Sequence, residues 1–285
     1  MSGDVAAGGR RAWDRSSLRR ADWLVPVDQH QTALRDEGRA ALAAGLDERL
    51  RRGSGVAVLR GLDLAGRTDD QCVDLCHQYL ALAGRPRARS GRHADDLLTA
   101  ATAPAAPPTA PAPSNGGDAQ LLAPHTDRSD RAYQPRLLAL LCIRPGAQGG
   151  ETLLVSGATV LNRLRERHPG AVRELHGDFH FGRGDGFVRR YPVFRQGPEG
   201  LRVHYNRHWI HRGHQEADLP LSSGQRAALD AFDAHLTDAR LTVRIALGPG
   251  DLLIVDNGAV LHGRTPFSDH HAPGRRRCLA RAWAD

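Results

Sequence analysis

Apolar positions change their spacing along this chain. In the first third they recur with helical periodicity around one short apolar run. The stretch from Gln31 to Arg52, rich in Ala, Leu and Arg, predicts a helix that Gly53 and Gly55 end before a buried strand at Val56-Ala57-Val58-Leu59. Thr68 with Gln71 three residues later forms a capping box, so a second helix is expected from there to Gly84, with Pro86 blocking its continuation. Further on, short apolar runs separated by turn residues predict strands at Leu137 to Ile143, Thr152 to Val155, Phe187 to Phe194 and Leu201 to Tyr205. Four more follow at Leu241 to Ala246, Leu252 to Val255, Ala259 to His262 and Arg277 to Trp283. Two helices interrupt them, one from Ala158 to about His168, the other capped by Ser222 with Gln225 and striped by Leu229, Phe232 and Leu236. Many short strands without βαβ alternation predict an α+β, mainly β chain with an antiparallel double-sheet or barrel-like core and flanking helices.

Two segments lack periodicity. Residues 1–30 are Arg-rich and weakly patterned, predicting a loose N-terminal arm and leaving 31–285 as a single domain. From Leu97 to Gly117, Ala, Pro and Thr repeat before Ser114-Asn115-Gly116-Gly117, a composition that cannot bury enough apolar surface to order itself. A flexible loop is expected there. Its place just before the chemically dense part of the chain suits a lid, with a plain disordered insert as the alternative.

Composition removes several chemistries. All 39 basic residues are Arg, and without Lys there is no Schiff base, no pyridoxal phosphate attachment and no P-loop lysine. The net charge of +7 permits nucleic acid or an acidic ligand, but the acidic residues interleave with the basic ones and no DNA- or RNA-binding module is visible. The Arg-for-Lys bias, with abundant Ala, Gly and Pro, is what a GC-rich coding sequence produces. Cys72, Cys76, Cys142 and Cys278 are too scattered for a disulfide framework, and the first pair lies one helical turn apart, as on a shared buried face. No apolar run reaches the roughly 18 residues of a membrane span, and Met1 to Arg11 lacks a signal-peptide core. A cytoplasmic protein without membrane or nucleic-acid partners is the expectation.

The histidines matter only where they have a geometric partner. In His125-Thr126-Asp127 an extended backbone points residues i and i+2 to one face, so the imidazole and the carboxylate can converge on one ion. Downstream, Gly250-Asp251-Leu252-Leu253-Ile254-Val255-Asp256 reads as a strand, Asn257-Gly258 as a hairpin turn, and Ala259-Val260-Leu261-His262 as the returning strand. Two His and one carboxylate form the facial triad of non-haem Fe(II) oxygenases, with three coordination positions left open. His204, His208, His211 and His214 cluster around Trp209, and His270-His271 follow His262, but no carboxylate or Cys has matching spacing, so structural or substrate-lining roles are expected. Tyr205, Arg207 and Trp209 follow a predicted strand and are candidates to line a substrate pocket.

Four passages in order carry a family resemblance: His125-Thr126-Asp127, Gly149-Gly150-Glu151-Thr152, Val260-Leu261-His262-Gly263-Arg264-Thr265-Pro266-Phe267, and Arg277 with Arg281. With them the chain resembles the Fe(II)/2-oxoglutarate dioxygenases of the taurine dioxygenase (TauD/TfdA) superfamily, near the clavaminate synthase-like and γ-butyrobetaine hydroxylase branches. The resemblance implies a double-stranded β-helix (jelly-roll) core, with His125, Asp127 and His262 binding iron and no catalytic residue beyond the metal centre. It implies that Thr152 hydrogen-bonds a carboxylate oxygen of 2-oxoglutarate. Arg277 would pair with the far carboxylate, Arg275 and Arg276 being the neighbouring candidates, and Arg281 would reach the co-substrate or an acid group of the substrate. Clavaminate synthase-like members commonly carry Glu where this chain has Asp127, which leaves the branch open. A carboxylate at that position argues against halogenation.

The activity implied is hydroxylation of an unactivated C–H bond in an amino acid or amino-acid-derived metabolite, with O2 as co-substrate and succinate and CO2 as co-products. Natural-product biosynthesis is the setting the composition suggests. Desaturation, cyclisation, or a carnitine-precursor-like or sulfonate substrate would use the same cofactors. The rivals from other classes are a non-catalytic metal-binding β-barrel and an Arg-rich nucleic-acid-binding protein.

Overall fold

The structure is a computed structural model that describes residues 12–27, 36–89, 96–99, 120–129, 134–183, 188–197 and 200–285. In chain order β1 (Leu24–Pro26), α1 (Asp36–Asp47), β2 (Val56–Arg60), α2 (Asp69–Leu80) and β3 (Leu97–Thr99) lead into β4 (Leu122–His125), β5 (Leu137–Arg144), β6 (Gln148–Gly149) and β7 (Thr152–Ser156). Next come α3 (Gly157–Arg167), α4 (Pro169–His176), β8 (Asp178–Phe181), β9 (Arg189–Pro192), β10 (Phe194–Gly197), β11 (Gly200–Val203), α5 (Arg207–Glu216) and α6 (Ser223–Leu236). The chain closes with β12 (Val243–Ile245), β13 (Leu252–Asp256), β14 (Val260–Arg264), β15 (Phe267–Ser268) and β16 (Cys278–Ala284).

Two sheets dominate. The larger has strand order β1-β2-β13-β5-β16-β3, the smaller β12-β7-β14-β4, and within them only the β1–β2 pair is parallel. They face each other across a core in which Val56, Val58, Leu138, Leu140, Leu253, Val255 and Leu279 of the larger sheet meet Leu154, Val260 and Ile245 of the smaller. The outer face of the larger sheet packs on Leu46 and on Cys72, Cys76, Tyr79 and Leu80 of α2. That of the smaller packs on α3 to α6 through Val155, Leu261, Leu164, Leu229 and Phe232. Central strands are therefore covered on both sides. This is why Leu137 to Ile143 is an unbroken apolar run rather than an alternating one, with all seven residues buried. Small residues of β16, Ala280, Ala282 and Ala284, face the helices while Leu279 and Trp283 face the sandwich interior, so one strand supplies both a close helix contact and a wide inter-sheet space.

Several expectations are corrected. The loose arm is not loose over residues 12–27: Trp13 is buried, its indole N–H donates to Ser54 O at 2.8 Å, its carbonyl accepts from Thr159 Oγ1 at 2.7 Å, and β1 pairs with β2. Residues 1–11 and 28–35, which include the start of the helix expected from Gln31, lie outside the described residues. That helix is described as α1 followed by a π turn over Glu48–Arg52. Of the segment Leu97 to Gly117, Leu97–Thr99 is an edge strand paired with β16, because Leu97 and Leu98 have apolar partners there; 100–119 lie outside the described residues. The strand expected over Phe187 to Phe194 is two, β9 and β10, interrupted at Val193. Asn257-Gly258 does not close a hairpin, since β13 and β14 belong to different sheets; it is the corner where the chain crosses between them.

Both capping boxes are present, at Thr68/Gln71 and Ser222/Gln225. All four cysteines are free and buried, Cys72 and Cys76 on one face of α2. None of the described helices is long and apolar enough to cross a membrane.

Replacing Trp13 by Ala removes a buried ring and its hydrogen bond, so stability in urea unfolding is expected to drop by about 3 kcal/mol. An unchanged midpoint would mean that this segment is not part of the folded core.

Candidate metal centre

Sheet register brings the two histidines together. β4 and β14 are antiparallel neighbours with His125 directly opposite His262, and their ring centroids lie 4.7 Å apart. On β14, Val260, His262 and Arg264 take the face toward the larger sheet while Leu261 faces the helices, so a slip of one residue would move both the core and the imidazole to the wrong side. Gly263 between them is required by crowding: a Cβ there would lie 2.5 Å from Leu122 O on β4. Just past β4, Asp127 places Oδ1 4.0 Å from His125 Nε2. One ligand atom from each of His125, Asp127 and His262 lies within 4.8 Å of the others. Thr126 turns the opposite way, its N–H donating to Tyr205 O at 2.7 Å and its hydroxyl accepting from Tyr205 N at 2.9 Å, and this clamp fixes which side chains face the cavity.

Asp127 is held by residues far away in sequence. The Trp283 indole N–H donates to Oδ2 at 2.7 Å, and Arg281 Nη1 stands 3.9 Å from the same oxygen. Asn257, fully buried at the inter-sheet corner, accepts from Asp127 N at 2.7 Å and donates to Asp127 O at 2.9 Å and Pro135 O at 3.0 Å. Burial works against the charged carboxylate, but Arg281, the two imidazoles and the indole N–H outweigh it and hold its pKa down to about 2. Burial pushes the imidazoles the other way, His125 below its ordinary value and His262 down to about 3. At neutral pH the cluster is therefore one carboxylate and two neutral rings.

This donor set fits a divalent metal. His125 Nδ1 pairs with Ala123 O at 2.9 Å, which assigns the proton there and leaves Nε2 with its lone pair on the Asp127 side. His262 Nδ1 is buried with no hydrogen-bond partner among the described residues, an arrangement that costs about 1–3 kcal/mol. Two imidazoles and one carboxylate suit a non-haem iron with open positions better than a structural zinc, which takes four protein ligands.

The triad shares its cavity with Thr152, Arg264, Arg277 and Arg281, and Leu98, Leu122, Leu138, Leu140 and Leu279 form its apolar walls. Thr152 lies on β7 opposite Arg264 of β14. Of Arg275 to Arg277, only Arg277 is buried and on the cavity; its backbone N–H donates to Asp269 Oδ1 at 2.7 Å, and burial lowers the pKa of its guanidinium. Its guanidinium and that of Arg264 lie 5.1 and 4.5 Å from the Phe267 ring centroid. Gly150, at φ +76°, takes a left-handed backbone that glycine adopts without strain, and it lies close to this guanidinium, a Cβ there standing 3.3 Å from Arg277 Nε. Arg277, Leu279 and Arg281 alternate along one face of the last strand and meet the cavity together.

The residues expected to line a substrate pocket are not brought here. Tyr205 is buried beside Phe232, with its hydroxyl on Asp233. Arg207 starts α5, where its guanidinium bonds Asp233 at 2.9 Å and Asp230 at 2.8 Å, and Trp209 packs against the helical core. The helix α5 has no clear signature in the sequence because its apolar positions are sparse among His and Arg. His204 stacks on Tyr191 and bonds Ser129 O; His211 accepts from Arg207, and His214 accepts from His180 N. Asn257 and Trp283 were missed as site residues, although Trp283 follows Arg281 by two positions and so shares its face.

Trp283→Phe keeps a ring but removes the N–H from Asp127, and Fe(II) affinity measured by chelator competition is expected to fall about tenfold; unaltered affinity would remove Trp283 from the site's support. A pH effect follows from His204, which burial holds at about 4. The unfolded chain binds that proton from about pH 6.5, so the stability this group contributes is complete above that pH and is lost as pH falls toward 4. His204→Phe should flatten the thermal stability profile across that window.

Residues 26–283 match the sequence profile of the taurine catabolism dioxygenase TauD, TfdA family. A uridine-5'-phosphate dioxygenase of Amycolatopsis sp is 30% identical over 149 residues, covering 50% of this chain and 53% of that protein, so the match spans about half of the relative's length. Among solved structures, asparagine oxygenase in complex with Fe(II), 2S,3S-3-hydroxyasparagine and succinate is similar at TM-score 0.64 and 19% identity, over 92% of this chain and 93% of that one. The non-heme iron oxygenase OrfP in complex with Fe and alpha-ketoglutaric acid is similar at 0.61 and 17%, with 92% and 93% covered. With a profile that spans nearly the whole chain and a fold shared with iron oxygenases, the chain belongs to the TauD, TfdA dioxygenase family.

Proposed function

We propose that this protein is an Fe(II)- and 2-oxoglutarate-dependent dioxygenase that hydroxylates an unactivated C–H bond of a small anionic metabolite. The observation that carries the proposal is the convergence of His125, Asp127 and His262 within 4.8 Å, in one cavity with two buried arginines and Arg281. His125, Asp127 and His262 would hold the iron. Bound there, Fe(II) supplies O2 activation, coupling the decarboxylation of 2-oxoglutarate to succinate and CO2 with oxidation of the substrate. Thr152 offers a hydroxyl to one carboxylate of the co-substrate, and Arg277 a planar fork to the other. The leucine walls lower the local dielectric, which strengthens these charge-assisted contacts. Arg281, next to Asp127, is placed to neutralise an acid group close to the metal.

For the substrate, an amino acid or amino-acid-derived metabolite is supported by the reach of Arg281 and by the hydroxyasparagine in the asparagine oxygenase structure. A phosphate-bearing substrate is the second reading, supported by the match to a uridine-5'-phosphate dioxygenase.

Screening both classes for substrate-dependent succinate release, with Fe(II), ascorbate and 2-oxoglutarate present, tests the proposal. His262→Ala is expected to abolish release while leaving the circular dichroism spectrum unchanged. Arg277→Ala is expected to raise KM for 2-oxoglutarate about tenfold or more, the size of a lost charge-assisted bond. Turnover by His262→Ala would sink the assignment, and an unchanged KM would move the anchoring role to another arginine.

A further inference from the structure

A second cavity, of about 450 Å³, is lined by Gln134, Tyr191, Arg195, Arg202 and His204, and by the ion pair of Arg87 with Asp285. Its charges are unusually placed. β10 and β11 form a two-stranded antiparallel ribbon in which Arg195 lies directly opposite Arg202, and like charges at facing positions destabilise such a pair. Neither guanidinium is fully compensated by protein. Arg202 stands 3.9 Å from Asp256, a carboxylate that also has Arg136 at 3.8 Å. Arg195 is exposed, and no carboxylate of the described residues pairs with it. Arg87 is different, because Asp285 neutralises it through a bond of 2.8 Å from Nε. The ribbon thus presents two positive groups to one cavity at an electrostatic cost that a bound anion would offset.

The floor of the cavity is a stacked pair, Tyr191 on His204, with ring centroids 4.6 Å apart at 29°. Burial holds His204 neutral at pH 7. The same walls hold the metal-ligand loop: His204 bonds Ser129 O, two residues past Asp127, and Gln134 Nε2 donates to the carbonyl of Asn257, whose side chain holds Asp127. Occupancy of this cavity would bear directly on the backbone that presents the iron ligand.

We infer that this cavity is the subsite for the anionic end of the substrate, and that the group it takes is a phosphate or phosphonate. A single carboxylate is satisfied by one guanidinium fork, whereas a phosphoryl dianion has three oxygens and a second charge for the facing Arg195 and Arg202 to share. The inference rests on the dioxygenase reading and narrows it to the phosphorylated class.

Isothermal titration of the protein with inorganic phosphate, uridine 5'-phosphate, uridine and glutamate tests it. Uridine 5'-phosphate is expected to bind at least tenfold more tightly than uridine or glutamate, with inorganic phosphate competing and affinity falling as salt rises. Arg195→Ala, an exposed position that will not disturb folding, is expected to weaken binding about tenfold, and Arg195→Lys to restore part of it. Arg202→Gln is expected to act in the same direction. His262→Ala should bind uridine 5'-phosphate like the parent, which separates the subsite from the metal centre. Binding that is indifferent to Arg195, tighter binding of glutamate, or no binding of either phosphate overturns the subsite. If His262-dependent succinate release persists in that case, the dioxygenase reading stands without it.

Discussion

A negative charge between two apolar sheets is the constraint to which the rest of this structure answers. Asp127 is ionised in a cavity walled by leucines, although burial by itself pushes its pKa up. The groups that prevent this come from across the chain: Arg281 and Trp283 on the last strand, His125 and His262 on the smaller sheet, and Asn257 at the crossing between the sheets. Each of them is itself fixed by packing. The indole of Trp283 belongs to the inter-sheet core and carries the Arg128 and Arg281 guanidiniums at 4.1 and 4.6 Å from its centroid. The residue after Asp127, Arg128, adopts φ 58°, the left-handed region that is uncommon for a non-glycine residue and is maintained only where surrounding contacts determine it.

The sandwich makes this arrangement economical. With helices on the outer faces, every central strand has one face for packing and one face toward the space between the sheets. Most of that inner space is filled by Val and Leu, but at the end where β4, β7, β14 and β16 present His125, Thr152, His262 and Arg281 it becomes polar. Fold stability and site geometry thus share the same register. The alternation that buries Val260 and Leu279 also aims His262, Arg277 and Arg281. Flanking glycines are the local cost of the close approaches, at Gly263 against β4 and at Gly150 against Arg277.

Two cavities flank the segment that carries Asp127. One, lined by leucines, gathers His125, Asp127 and His262 with Arg264, Arg277 and Arg281. The other, wider and more polar, is floored by an aromatic stack and faced by paired arginines of the β10–β11 ribbon. Gln134, from the lining of the wider one, bonds the Asn257 carbonyl, and Asn257 bonds Asp127, so the segment from Thr126 to Ser129 is held from both sides.

Much of this was legible in residue order. The strands at Leu137 to Ile143, Thr152 to Val155 and Leu252 to Val255 announce themselves because central strands with two covered faces need unbroken apolar runs. The convergence of His125, Asp127 and His262 was legible because His-x-Asp on an extended segment and a later His ending a strand are short-range patterns, and the shared face of Arg277 and Arg281 because strands have a period of two. That Tyr205 and Arg207 lie away from the triad cavity was not legible, because proximity in sequence to a strand end does not say which way the chain turns next. The facing of His125 and His262, the crossing role of Asn257, the indole bond of Trp283 and the opposition of Arg195 to Arg202 were decided by tertiary structure alone. Each depends on strand pairing between residues far apart in the chain, and a linear pattern carries the face a side chain takes but not the partner it meets.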